Sequence, residues 1–205
     1  MPFDLEGIKK YLKDCNISVK GILHVGSKSD QIQAVYNSIN VHDNNIIWVE
    51  SDKVKAAKNI ARGLPNCFTT VIDTPDIDLR KYFTNQVQFH CNAECCTDAP
   101  KLILSELENS ETQTLEEFMS KNNFDPAEFN VWNFDCMGSE FRIFKGSQIL
   151  LKFADIIYTG VNSTEITKKS NMKSDIDTLL KGYGLSRVET IKNEDNWCMA
   201  LYIRI

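Results

Sequence analysis

The chain has 205 residues, 42% apolar, 25% charged and 10% aromatic, with a formal net charge of −5. These proportions exclude disordered, collagen-like and coiled-coil classes, and the length predicts one domain spanning 1–205, with 1–20 as an N-terminal helical extension. Its lysines are interleaved with acids rather than gathered into a basic stripe, so no nucleic-acid partner is expected.

The opening residues carry no basic segment followed by an apolar run, and no stretch approaches the roughly 20 apolar residues of a membrane helix. No secretory leader and no membrane partner are therefore expected, and a cytoplasmic location is. Seven cysteines follow no CxxC spacing. Even His90-Cys91 with Cys95-Cys96 reads as reduced thiols rather than a metal site.

In chain order, Leu5, Ile8, Leu12 and Cys15 share one helical face. An apolar run, Gly21-Ile22-Leu23-His24-Val25-Gly26, predicts a buried strand ended by glycine. Helical spacing at Ile32, Val35, Tyr36 and Ile39 follows. Ile46-Ile47-Trp48-Val49 predicts a second strand ending in Glu50, and a helix around Val54, Ala57 and Ile60 closes at Gly63-Leu64-Pro65. The third strand is expected over Phe68–Ile72, ending in Asp73. Val87–Cys91 alternates enough for a further strand within a loop-like stretch, and a short helix begins near Thr114.

Val131–Asp135 predicts the fourth main strand. A helix through Phe141, Phe144, Ile149 and Leu150 leads to the fifth, Asp155–Thr159. After a helix near Ser174–Lys181, two strands, Leu185–Ile191 and Trp197–Ile203, stand either side of the polar run 192–196. So short a connection demands a hairpin, hence a last strand antiparallel to its neighbour. The expectation is a Rossmann-like class I methyltransferase fold: a mostly parallel seven-stranded sheet with Gly21–Val25 central and a C-terminal antiparallel hairpin. A dinucleotide-binding Rossmann domain would finish parallel.

Open parallel sheets bind ligands beyond the carboxyl ends of their strands. The residues there include His24 and Gly26, then Glu50, Asp73, Asp135 and Asn162. Gly26 permits a tight turn into the next helix. Glu50 suits ribose hydroxyls, and Asp73 the amino group of an adenine. Each also has a plainer reading, as a turn glycine or a helix-capping acid of the kind Asp52 represents.

These residues resemble the FkbM-type S-adenosylmethionine-dependent methyltransferases. The first two strands are similar to that family's, most of all to a variant group found among large DNA viruses that has His-Ile-Gly for Asp-Val-Gly. Asn133-Phe134-Asp135-Cys136-Met137-Gly138-Ser139-Glu140 resembles the family block Asp-x-x-Gly-x-Glu, and Phe144-Lys145-Gly146 its Leu-Lys-Gly. Thr114-Leu115-Glu116 resembles Thr-Leu-Asp, and Tyr158-Thr159-Gly160-Val161-Asn162 resembles Tyr-Thr-Glu-Val-Asn with Gly160 in place of the acid. The likeness runs from Gly21 to Arg204. The loop Gly26-Ser27-Lys28 lacks a second glycine.

The resemblance implies S-adenosylmethionine as cofactor, held by His24, Gly26, Ser27, Glu50 and Asp73. It implies Asp135, Glu140 and Asn162 around the reacting groups, and a sugar or similar small hydroxyl acceptor. A viral member would work in the host cytoplasm. Two other readings remain open: a degenerate member keeping the fold as a structural or binding module, and an RNA-modifying enzyme, which the acidic charge disfavours. If activity departed with the acid at Gly160, a gap is expected beside Asp135 and Asn162. If it persists, Glu140 or Glu165 is expected within reach of the acceptor.

Overall fold

The computed structural model describes residues 5–26, 29–72, 112–136, 138–163, 172–192 and 197–205. Ser27, Lys28, Asp73, the expected strand Val87–Cys91, the cysteines at 91, 95 and 96, and Glu165 lie outside the described residues.

The elements in chain order are α1 (Leu5–Asp14), β1 (Ile22–Gly26), α2 (Ser29–Ser38), β2 (Ile46–Glu50), α3 (Lys53–Ala61), β3 (Cys67–Thr69) and β4 (Val71–Ile72). After these come β5 (Thr112–Gln113), α4 (Leu115–Lys121), β6 (Val131–Asp135), α5 (Glu140–Gly146), β7 (Ile156–Asn162), α6 (Lys173–Lys181), β8 (Leu185–Lys192) and β9 (Trp197–Arg204). Among the described residues, seven strands form one sheet in the order β3-β2-β1-β6-β7-β9-β8. The first five run parallel; β9 is antiparallel to β7, and β8 to β9. This order, with its reversed terminal hairpin, is the class I methyltransferase version of the Rossmann-like α/β fold. The middle strand of the seven is β6, and β1 stands beside it.

The strands are apolar on both faces because helices cover both. On one face Leu23, Ile47, Trp132, Phe134 and Ile157 pack with Phe118 of α4, Phe144 of α5 and Ile176 of α6. On the other, Ile22, Ile46, Val131, Ile156 and Leu201 pack with Ile8 of α1 and Ile32 of α2. Among the described residues no helix is long and apolar enough to cross a membrane.

Local chemistry sets the helix starts. Asp52 caps α3, its Oδ1 accepting from Val54 N at 2.8 Å and Lys55 N at 3.1 Å. Thr114 and Glu117 form a reciprocal capping box on α4.

Three sequence expectations need correction. The run Phe68–Ile72 is not one strand. β3 pairs with β2 only as far as Glu50↔Thr69, where β2 ends, and Val71–Ile72 then pairs in parallel with Thr112–Gln113. Thr70 marks the break, its N–H donating to the Glu50 carbonyl and its hydroxyl accepting from Gln113 Nε2 at 2.8 Å. The helix expected to bury Ile149 stops at Gly146, leaving Ile149 exposed while Leu150 is buried. Cys15 falls one residue past α1 and is exposed.

The edge strand β8 carries a bulge between Arg187 and Glu189 that interrupts its ladder, a device that discourages pairing with another chain. Arg187 grips Asp177 of α6 with two bonds, Nε to Oδ1 at 2.9 Å and Nη2 to Oδ2 at 3.1 Å. The buried Tyr202 hydroxyl donates to the same Oδ1 at 2.8 Å. Asp177→Ala strips all three donors of their acceptor and should cost about 1–3 kcal/mol in urea unfolding. An unchanged midpoint would show that this clamp does not hold α6 to the hairpin.

Candidate functional site

Side chains alternate between sheet faces, so Trp48 and Glu50, His24, Asn133 and Asp135, and Tyr158 and Asn162 all belong to the face covered by α1 and α2. They form two levels. Trp48, His24, Asn133 and Tyr158 are direct register partners across β2, β1, β6 and β7. Nearer the carboxyl ends stand Glu50, Gly26 and Asp135, and Asn162 ends β7.

The lower level is a buried aromatic and polar layer. His24 is 1% exposed, with its ring centroid 4.9 Å from that of Trp48. Tyr36 reaches down from α2 beside both rings, 6.1 Å from His24 and 5.6 Å from Trp48 between centroids. Its hydroxyl lies 3.0 Å from His24 Nδ1 and accepts from Asn133 Nδ2 at 2.7 Å. Burial pushes the Tyr36 phenol far above its ordinary pKa, so it stays protonated. Expected at the open edge, His24 is instead one level beneath it, and its ring helps to fix α2 against β1 and β6. Sequence reading missed Tyr36 and Asn133 as members of this network. The available signal was an asparagine in the middle of an otherwise apolar strand.

At the upper level, Gly26 has φ +112°. A Cβ built there would stand 2.1 Å from the Asp135 carbonyl oxygen. The first requirement for glycine is therefore the close approach of β1 to β6, a strand-to-strand contact, with the turn conformation as the second.

Glu50 is 4% exposed. Its Oε1 accepts from Asp52 N at 3.1 Å, whereas its Oε2 is buried and has no hydrogen-bond partner. Burial raises its pKa, opposed by the Asp52 amide and the charge of Lys55. The capping role belongs to Asp52, and through its amide Asp52 also orients Glu50. A buried carboxylate oxygen left bare costs about 1–3 kcal/mol or more.

Asp135 ends β6 and is 7% exposed. Glu140 opens α5 and is completely buried. Both its oxygens are engaged by the intervening loop: Oε1 accepts from Cys136 N at 2.9 Å and Oε2 from Gly138 N at 2.8 Å. Desolvation pushes its pKa up to about 8, with the Asp135 charge adding to the rise against these amide bonds. Glu140 was expected to border the acceptor. It is instead turned inward, where it sets the path of the loop that follows Asp135, and so acts on Asp135 by position.

Asn162 is 1% exposed, and neither its Nδ2 nor its Oδ1 has a hydrogen-bond partner. Its backbone pairs with Trp197 of β9 and bridges Met172. The structure thus gathers Glu50, Gly26, Asp135 and Asn162 along one sheet edge, and sets His24 and Glu140 behind them as supports.

No known protein-family model matches the chain, and neither does any curated protein. Among solved structures it is similar to magnesium protoporphyrin IX methyltransferase (ChlM) from Synechocystis PCC 6803. With SAM bound, the TM-score is 0.44 at 9% identity, covering 98% of this chain and 78% of that one. With SAH bound, the values are 0.44, 11%, 98% and 82%.

Proposed function

We propose that the chain is an S-adenosylmethionine-dependent methyltransferase that methylates a hydroxyl of a sugar or similar small acceptor. The observation that carries this reading is Glu50: a buried carboxylate at the end of β2, oriented through one oxygen and bare at the other. Ribose hydroxyls are the donors such an oxygen fits. The FkbM-like block from Asp135 to Glu140 and the reversed terminal hairpin support the same reading.

When bound, the cofactor supplies a methyl group on a sulfonium. The protein's own contribution is position. Glu50 would hold the ribose, Gly26 and Ser27 would border the methionine end, and Asp73 would meet the adenine. His24 and Tyr36 brace the first strand and α2. Asp135, fixed by the loop that Glu140 clasps, faces the acceptor side and takes a hydrogen bond from the acceptor hydroxyl. In-line displacement from a sulfonium requires alignment more than a strong base, so one well-placed carboxylate suffices.

The degenerate reading rests on Gly160, which stands where the resembling family has an acid. Methyl transfer from radiolabelled S-adenosylmethionine, assayed across a panel of neutral sugars with the wild type and Gly160→Glu, separates the two. Transfer by the wild type is the expected result. Transfer by Gly160→Glu alone would mark a decayed enzyme.

A further inference from the structure

Four large apolar side chains are exposed among the described residues, and two of them, Val54 and Ile60, stand on the nine-residue helix α3. Each is 57% exposed. Single exposed apolar residues are ordinary, but two on one short helix form a patch. A helix turns about 100° per residue, which gathers Val54, Ala57, Ile60 and Ala61 into one stripe. Ala57 and Ala61 are exposed as well, whereas Ala56 and Asn59 lie on the buried side. Val54, Ala57 and Ala61 keep the i, i+3, i+7 spacing by which one helix seats another, and the two alanines admit a close approach.

Charge follows the same helix. Lys53, Lys55, Lys58 and Arg62 are exposed, and no acid occurs from Lys53 to Ile72, in a chain with 28 acids and a net charge of −5. Here the interleaving of lysines with acids fails. Lys55 makes a loose contact with Asp52, Nζ to Oδ2 at 3.8 Å, and Arg62 donates to the neutral Gln33 at 3.0 Å. Lys55, Lys58 and Arg62 run along one flank of the apolar stripe.

An apolar seam flanked by cations fits an amphipathic helix that carries acids beside its own seam. A symmetric pair of α3 helices from two copies would oppose cation to cation. A lipid surface fits less well, because the stripe has no aromatic residue or leucine to insert. The phosphates of a nucleic acid would leave the apolar stripe in water.

We propose that α3 is the docking surface for an acidic amphipathic helix of a partner protein. This surface uses none of the residues assigned to the cofactor or the acceptor. The test is fluorescence anisotropy of the full chain with a labelled, side-chain-stapled helical peptide of about three heptads, leucine at its a and d positions and glutamate at e and g. A peptide with lysine at e and g, and vesicles of phosphatidylserine and phosphatidylcholine, are the comparison arms.

Saturable binding of the glutamate peptide is expected, weakening as salt rises, with the lysine peptide and the vesicles bound about tenfold more weakly or not at all. Lys58→Glu should weaken the glutamate peptide about fivefold and Val54→Gln about threefold, both variants keeping the wild-type urea midpoint as exposed substitutions do. No binding of the glutamate peptide, or equal binding of the lysine peptide, would overturn the partner's chemistry. Tighter binding to the vesicles would assign α3 to a lipid surface and overturn it too. Affinity unchanged in both variants would place the peptide elsewhere and overturn the role of α3.

Discussion

Between pH 5 and pH 8 the protein should lose stability as the pH rises, and Glu140→Gln should flatten that loss. The folded-state pKa of Glu140 is pushed up to about 8 from an ordinary 4.5, so over this window the native protein holds a proton that the unfolded chain has released. Stability then falls with increasing pH, and the loss is complete once pH passes the folded value. At about 1.4 kcal/mol for each unit, the window amounts to roughly 3–5 kcal/mol. Glutamine cannot ionise, but its NH2 must face either Cys136 N or Gly138 N, which costs about 1–3 kcal/mol. Urea unfolding should therefore find Glu140→Gln less stable than wild type near pH 5, with the gap closing and then reversing as the pH rises towards 8. Parallel curves for the two proteins would mean that Glu140 is ionised throughout.

Glu50→Ala should weaken binding of S-adenosylmethionine by about 1.5–3 kcal/mol, or roughly 10- to 100-fold, the range for losing hydrogen bonds to a charged group. Its effect on stability should be small, because the variant also removes a buried carboxylate that has an unpaired oxygen. That combination distinguishes a ligand-binding acid from a structural one. The same burial raises the Glu50 pKa, so affinity should begin to fall on acidification above the ordinary carboxylate range. Unaltered affinity in Glu50→Ala would make it a loop-setting acid and remove the ribose assignment. Isothermal titration at several pH values measures both effects.

The parts of the fold legible in the sequence are those written in local pattern. Five apolar runs separated by helical spacing announce a parallel sheet, and five polar residues between the last two strands force the hairpin. Glu50 is equally legible, as an acid directly after a buried strand. What local pattern does not carry is where a neighbour stops. The break at Thr70 follows from β2 ending at Glu50, and the partner strand at Thr112 lies 42 residues beyond it in sequence. Ile149 keeps helical spacing with its predecessors, yet the helix has already ended. Glu140 reads as an active-site acid because of the block it belongs to, and only the backbone path from Asp135 shows it turned inward. Tyr36 reads as core by spacing. Its hydroxyl acquires meaning once α2 lies over His24 and Asn133.

Calorimetric titration of the wild-type protein with S-adenosylhomocysteine tests the central claim most directly, since it needs no knowledge of the acceptor. A single site with a Kd in the micromolar range is the result that the proposed role of Glu50 predicts. No heat of binding at millimolar ligand, from a protein that unfolds cooperatively, would contradict it and leave only a methyltransferase-like fold serving a structural role.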